Sequence, residues 1–109
     1  MMARYALRGE TDRGVAAAAE ELSKIAPCIS LPADVSTVEG ARALAAQVME
    51  REPALDILVN NAGAAWGESF DTFPESGWDK VVDLNMKAPF FLTQALHGHL
   101  RKAASAQRP

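Results

Sequence analysis

Cysteine is almost absent from the chain, whose 109 residues include only Cys28, so no disulfide can form within it. A single thiol in an apolar stretch is more typical of a small core residue than of a nucleophile, and it suits a cytoplasmic location. No apolar run approaches the roughly 20 residues that a membrane-spanning helix needs. The first residues also lack the apolar stretch of a secretory signal peptide. We therefore expect neither a disulfide-rich secreted scaffold nor a membrane protein.

An excess of positive charge is missing as well. The chain has 11 Lys and Arg residues against 14 Asp and Glu residues, a formal net charge of −3. Because this balance offers no basic surface to phosphates or anionic lipids, we expect neither nucleic acid nor membrane as a partner. His97 and His99 are two positions apart in a helical pattern and do not share a helix face, so we expect no metal site. Hydrophobic residues make up 49%, which suits one folded domain.

The most informative stretch is LDILVNNAG, residues 55–63. Its first five residues, LDILV, form a short apolar run typical of a strand buried on both faces in a parallel sheet. The run stops at Asn60, Asn61, Ala62 and Gly63, whose amide groups can face a ligand at the carboxyl end of a strand. An ordinary polar turn after a strand explains the Asn-Asn pair equally simply.

Helical and strand patterns alternate along the chain. The predicted elements are a strand tail within residues 1–7, a helix from Val15 that Pro27 ends, a strand from Cys28 to Leu31, a helix from Ser36 that Glu52-Pro53 ends, the strand at residues 55–59, and a long helix from near Ser76 to about Ala104. Ser36 and Glu39 have the spacing of a capping box. This alternation predicts an α/β layer structure with parallel strands.

Three motifs in this order and spacing point to one family. They are Ala33-Asp34-Val35, the LDILVNNAG string, and Asn85 within DLNM of the long helix. With them the chain resembles the short-chain dehydrogenase/reductase (SDR) family from about Arg8 to its end. Within that family, WGESFDTFPESGWDKVVDLN and HLRKAASAQRP are most similar to 3-oxoacyl-[acyl-carrier-protein] reductases of the rhamnolipid-pathway type. The resemblance implies an NAD(P)-dependent oxidoreductase, with NADP slightly favoured over NAD, that acts on a small carbonyl or alcohol.

The resemblance also implies roles for single residues. Asp34 would hydrogen-bond the adenine of the cofactor, and the backbone of Val35 would lie beside it. Residues 60–63 would pack against the adenosine and the nicotinamide ribose, a close approach that suits Ala62 and Gly63. Asn85 would be the asparagine of an Asn-Ser-Tyr-Lys active site. Arg8 lies where NADP-preferring members carry a base for the 2′-phosphate, although a solvated loop arginine explains it equally well.

Two motifs of the family do not occur in the sequence. None of the seven glycines lies in a TGxxxGIG phosphate loop, and the single tyrosine, Tyr5, has Gly9 four positions on, where YxxxK requires lysine. We therefore expect residues 1–109 to form one partial NAD(P)-binding domain. Its fold would be an incomplete Rossmann-type, doubly wound parallel sheet with flanking helices, without the first strand and the C-terminal half. Strands beside a missing strand would expose apolar edges.

The position of Asn85 within a helix also has physical consequences. An asparagine on the apolar face of a helix is costly unless its amide is hydrogen-bonded. Pro89, four residues on, has no N–H to give to the carbonyl of Asn85, so we predict a kinked or loosened helix there. The resemblance implies that Asn85 anchors a water leading to the catalytic lysine. The alternative is that its side chain bonds a neighbouring loop.

Several apolar residues have more than one interpretation. Phe70 and Phe73 are predicted to pack, whereas Trp66, just past residues 60–63, fits either packing or the lining of an acyl site. The run from Ala88 to Leu96 is apolar on more than one face. One part is expected to pack on the sheet, and another resembles the helix through which SDR proteins form homo-oligomers.

Three functions fit these patterns. The first is an NAD(P)-dependent oxidoreductase sequence that is inactive as these 109 residues alone. The second is a non-catalytic fragment that associates with a full-length relative through residues 88–96. The third is a generic α/β binding module that uses residues 60–63. Coding sequence for TGxxxGIG and YxxxK, in frame on either side of the chain, would decide for the first.

Overall fold

The structure is a computed structural model that describes residues 5–7 and 12–104. The chain divides into two compact units, Met1–Asp34 and Val35–Pro109. None of the helices in the described ranges is long and apolar enough to cross a bilayer.

The first unit is a β-α-β arrangement. Strand β1 (Tyr5–Leu7) pairs in parallel with β2 (Cys28–Ser30), with Tyr5 opposite Cys28 and Leu7 opposite Ser30. Helix α1 (Asp12–Leu22) connects them, as parallel neighbours require a crossover. The predicted parallel pairing of strands is thus confirmed here. The helix begins three residues before Val15 and ends well before Pro27, because residues 23–26 form turns whose N–H groups bond back to Ala19, Glu21 and Leu22.

The core of the second unit lies between two helices. Helix α2 (Val38–Arg51) buries Ala41, Leu44, Ala45 and Val48. Helix α4 (Ala88–Ala103) buries Ala88, Leu92 and Leu96, which are spaced four apart and share one face. The two helices pack against each other, and the alanines let their backbones come close. Leu96 is only 2% exposed, so its side chain is sealed in this contact.

The start of α2 corrects the predicted capping box. The N-cap is Thr37 rather than Ser36, and its Oγ1 accepts a hydrogen bond from Gly40 N at 3.0 Å. The carbonyl of Thr37 also accepts the first helical bond, from Ala41 N at 3.0 Å. Glu39 is therefore the second helical residue and not the third, so the reciprocal bond of a capping box cannot form. Adjacent hydroxyl residues made the choice ambiguous in sequence.

The predicted strand at residues 55–59 is not formed in the structure. In the part of the chain that is described, this segment has no secondary structure, and Ile57 and Val59 are 76% and 74% exposed. Its one backbone bond to a described helix runs from Leu55 N to His99 O, at 3.0 Å. An apolar run becomes a strand only when a neighbouring strand supplies the ladder of hydrogen bonds. The described sheet has two strands, β1 and β2.

The predicted long helix is present but interrupted. Helix α3 (Glu75–Val82) passes into one π-helical stretch, Asp83–Lys87, and then into α4. The N–H of Ala88 bonds the carbonyl of Asp83, five residues earlier, instead of the usual four. Pro89 follows, without an N–H for the carbonyl of Asn85. The prediction of a loosened helix around Asn85 is confirmed.

Candidate functional site

Residues 60–63, which we call the 60–63 loop, belong to a segment that runs along α4 in the opposite direction. Leu55 N bonds His99 O at 3.0 Å. Further on, Asn60 Nδ2 donates to Thr93 Oγ1 at 3.2 Å, and Ala64 N donates to Asn85 Oδ1 at 3.0 Å. Residue numbers in the segment rise from 55 to 64, while those of the hydrogen-bond partners on the helix fall from 99 to 85. The helix therefore fixes where the 60–63 loop begins and where it ends.

Both the oxygen and the nitrogen of the Asn85 side-chain amide form hydrogen bonds with the backbone of Ala64. Its Oδ1 accepts from Ala64 N at 3.0 Å, and its Nδ2 donates to Ala64 O at 2.8 Å. This pair imitates the bonds that a neighbouring strand would make. Of the two interpretations of Asn85, the bond to a neighbouring loop is confirmed for the side chain. The carbonyl of Asn85 receives no N–H from position 89, because Pro89 has none.

Gly63 leaves room for the side chain of Asn85. A Cβ at Gly63 would lie 2.8 Å from Asn85 Oδ1, nearer than real Cβ contacts come. No residue of the described ranges has a positive φ, so space and not backbone conformation explains this glycine. The family resemblance predicts that a cofactor makes a close approach here. The structure shows a protein neighbour that already needs it.

The rest of the 60–63 loop is open to solvent. Asn61 and Gly63 are exposed, and Ala62 is half-buried. Their backbone groups make no hydrogen bond with any residue that the structure describes. Exposed, unused N–H and C=O groups on an anchored loop are suited to bind the hydroxyls and ring edges of a nucleotide.

The other predicted site residues are distributed over both units. Val35 opens the second unit and is 1% exposed, so the residue is buried in this structure, and its place beside the adenine stays a prediction. Asp34 closes the first unit and its side chain is exposed. Arg8 lies outside the described residues. The structure thus brings together the 60–63 loop and Asn85.

A protein-family model matches almost the whole chain. The model of the family described as short chain dehydrogenase matches residues 2–107. The chain belongs to the short-chain dehydrogenase family. The resemblance drawn from Asp34, the 60–63 loop and Asn85 is therefore confirmed.

Individual SDR proteins show how much of a relative the chain covers. The chain is 46% identical over 91 residues to the rhamnolipids biosynthesis 3-oxoacyl-[acyl-carrier-protein] reductase of Pseudomonas aeruginosa. The matched stretch covers 84% of this chain and 36% of that protein. The structure of the Pseudomonas aeruginosa RhlG/NADP active-site complex superimposes with a TM-score of 0.90 and 41% identity, over 95% of this chain and 41% of that one. The structure of a metagenomic short-chain oxidoreductase in complex with NADP superimposes with a TM-score of 0.85 and 29% identity. The match covers 93% of this chain and 47% of that one. The chain spans about a third of the length of the curated relatives it matches.

Trp66 is the site neighbour whose contacts the sequence left open. One face of its indole lies against Gly77 of α3, where a Cβ would come within 2.8 Å of the ring. The Lys80 ammonium lies 6.0 Å from the ring centroid, and Nε1 donates to Glu68 Oε1 at 3.5 Å. The ring remains 38% exposed. The sequence signal for this contact was Gly77, because a glycine inside a helix lowers its stability and therefore suggests a close neighbour.

The two phenylalanines of the neighbouring loop differ. Phe70 is 95% exposed, so the prediction that it packs was wrong. It begins a 3-10 turn, Phe70–Thr72, whose residues are all exposed. Phe73 is 37% exposed and keeps part of its ring covered. Aromatic character alone could not separate the two, since burial depends on what packs against the turn.

Replacing Gly77 should move Trp66. Alanine is the better helix former by about 1 kcal/mol, yet in Gly77→Ala the new methyl would collide with the indole. We expect Trp66 to leave α3, with a red-shifted fluorescence emission measured in a Trp78→Phe background. Gly98→Ala is the matched control, since nothing lies within 4 Å of its Cβ position in α4. An unchanged Trp66 emission in Gly77→Ala would contradict the contact.

Proposed function

We propose that this chain is the central part of an NAD(P)-dependent oxidoreductase that reduces a carbonyl such as a 3-oxoacyl thioester, with NADP favoured over NAD. The observation that carries the proposal is the 60–63 loop, left open to solvent while Asn85 and Thr93 hold it at both ends. An anchored polar loop with unused backbone groups is a site for a ligand. The similarity to a 3-oxoacyl-[acyl-carrier-protein] reductase and to two NADP complexes supports the choice of substrate and cofactor.

The residues present fit one half of such a cofactor. The open backbone of Asn61, Ala62 and Gly63 suits the ribose and adenosine, and the exposed carboxylate of Asp34 can accept from the adenine amino group. Arg8 is the candidate for a 2′-phosphate. The sequence holds no glycine-rich phosphate loop, so the pyrophosphate has no cradle among these residues. When bound, the nicotinamide would supply the hydride.

Asn85 has two separable parts in this proposal. Its side chain holds Ala64 and thereby the far end of the 60–63 loop. Its carbonyl lacks the N–H that position 89 would normally give and is proposed to hold a water. Such a water fits the proton path toward the lysine that the family resemblance implies. A π-helical turn is a frequent feature of functional sites, because it frees backbone groups of this kind.

The test is a chimera in which this chain replaces the matching stretch of the Pseudomonas aeruginosa reductase. That protein would supply the phosphate loop and the Tyr/Lys pair, and the chain would supply the 60–63 loop and Asn85. We expect NADPH-dependent reduction of a short 3-oxoacyl thioester, followed by the loss of NADPH absorbance. The unmodified reductase is the positive control. A folded chimera that binds NADPH no better than an unrelated protein would contradict the proposal.

A second candidate function is association with another protein of the family. Met86 and Phe90 lie four apart on the long helix and are 71% and 62% exposed. A shallow groove beside them is lined by Pro89, Phe90, Thr93, Gln94 and His97. This apolar face favours pairing of helices, either between copies of the complete protein or with a full-length relative. Light scattering of the chimera and of its Phe90→Ser variant would show whether the face joins subunits.

A further inference from the structure

We propose that Thr93 is a positioning residue of the 60–63 loop. Its hydroxyl oxygen accepts the hydrogen bond from Asn60 Nδ2 and so sets where the loop begins, while Asn85 sets where it ends. Its effect on cofactor binding rests on the proposed function, because the loop is proposed to bind the nucleotide. No motif in the sequence singled out Thr93, which lies 33 residues from Asn60.

Thr93 is well placed to act as a fixed point. Its neighbour Leu92 is 8% exposed and Leu96 2%, and both belong to the face of α4 that packs on α2. The backbone that carries Thr93 is therefore held by the core of the unit. A β-branched side chain in a helix has few χ1 positions, so its hydroxyl direction is also restricted.

The two anchors are about as far apart along the helix as the loop between them is long. Thr93 and Asn85 are eight positions apart, about 12 Å along a helix with a rise of about 1.5 Å per residue. The four residue steps from Asn60 to Ala64 can span at most about 13–14 Å. A loop bonded at both ends has fewer backbone conformations open to it than a loop bonded at one end. Release of the Asn60 end would let Asn61, Ala62 and Gly63 turn away from a ligand.

The hydroxyl, and not the bulk of the side chain, is the part that matters. Valine has nearly the same shape as threonine but no acceptor, and serine keeps the acceptor on a smaller side chain. If Thr93 only filled space, valine would serve as well as threonine. If it positions the loop, serine should serve and valine should not.

The experiment uses the ¹⁵N-labelled 109-residue chain in three forms: parent, Thr93→Val and Thr93→Ser. In Thr93→Val we expect the Asn60 side-chain amide and the backbone amides of residues 61–63 to shift in NMR spectra. The Asn85 side-chain amide, bonded to Ala64, should move little. In an NADPH titration of the chimera with the Pseudomonas aeruginosa reductase, Thr93→Val should raise the Kd about threefold to tenfold, the range expected for one lost hydrogen bond. Thr93→Ser should restore both the shifts and the Kd.

Two results would overturn the proposal. One is an unchanged Asn60 amide in Thr93→Val. The other is equal disturbance in the serine and valine variants together with a lowered melting temperature, which would mark a packing role. If the parent chimera shows no NADPH binding, the proposed function fails, while the amide shifts still decide the role of Thr93. Should Thr93→Val not fold, Asn60→Leu removes the same bond from the exposed side and must shift residues 61–63 in the same way.

Discussion

The 109-residue chain, purified alone, will not reduce a short 3-oxoacyl thioester with NADPH above the rate seen in buffer. Carbonyl reduction needs an acid to protonate the developing alkoxide, and a positioned general acid typically contributes about 10²–10⁴ in rate. The acid of the family is a tyrosine with a lysine four residues on. Here the single tyrosine is Tyr5, and Gly9 stands four residues on. The chain therefore offers no such pair.

A second loss points the same way. A dinucleotide is held by a glycine-rich turn at a helix N-terminus, where N–H groups and the helix dipole meet the phosphates. None of the seven glycines lies in such a sequence. What remains, Asp34 and the 60–63 loop, is proposed to touch adenosine and ribose, so NADPH binding should be weak.

The measurement is NADPH absorbance over time, beside a fluorescence titration of the cofactor. The chimera with the Pseudomonas aeruginosa reductase is the matched control, since it adds the missing parts to the same residues. Turnover that co-purifies with the 109-residue chain and scales with its concentration would refute the prediction. It would mean that residues assigned here to structure build the acid and the phosphate site.

In the chimera, Asn85→Ala should lower turnover far more than it weakens NADPH binding. The variant loses both hydrogen bonds to Ala64, at 3.0 and 2.8 Å, so the 60–63 loop and the π turn can separate. A displacement of about 1 Å can cost on the order of 10² in rate, and we expect a loss of that size in turnover. The Kd for NADPH should rise no more than in Thr93→Val, about threefold to tenfold, because Asn85 also holds one end of the 60–63 loop but is not proposed to contact the nucleotide.

Gly63→Ala disturbs the same Asn85 side chain by a second route, with turnover as its readout. Its methyl would lie 2.8 Å from Asn85 Oδ1, so we expect the Asn85 side chain to shift from its place beside Ala64 although Asn85 itself is unchanged. Gly67→Ala is the matched control, with nothing within 4 Å of its Cβ position. Steady-state turnover and NADPH titrations of the three variants test the prediction. Parent-like turnover in both Asn85→Ala and Gly63→Ala would remove Asn85 from the mechanism.

Local covalent chemistry and motif spacing could be read from the sequence. Helix loosening at Asn85 was predictable because proline has no N–H, a fact that no tertiary contact changes. The helices followed from apolar residues three and four apart, and β2 from a short run after Pro27. The family followed from Asp34, the 60–63 loop and Asn85 in one order and spacing, which the match over residues 2–107 confirmed.

Contacts between distant residues were decided by the tertiary structure. Residues 55–59 have the composition of a buried strand, yet form none in the described chain, because a strand exists only beside a partner. Asn85 meets Ala64 across 21 residues and Thr93 meets Asn60 across 33, and no local pattern encodes either pair. The same holds for Gly63 and Gly77, whose missing side chains make room for Asn85 and Trp66. A sequence shows which groups can bond or need space, while the packing of α4 and its neighbours determines which of them meet.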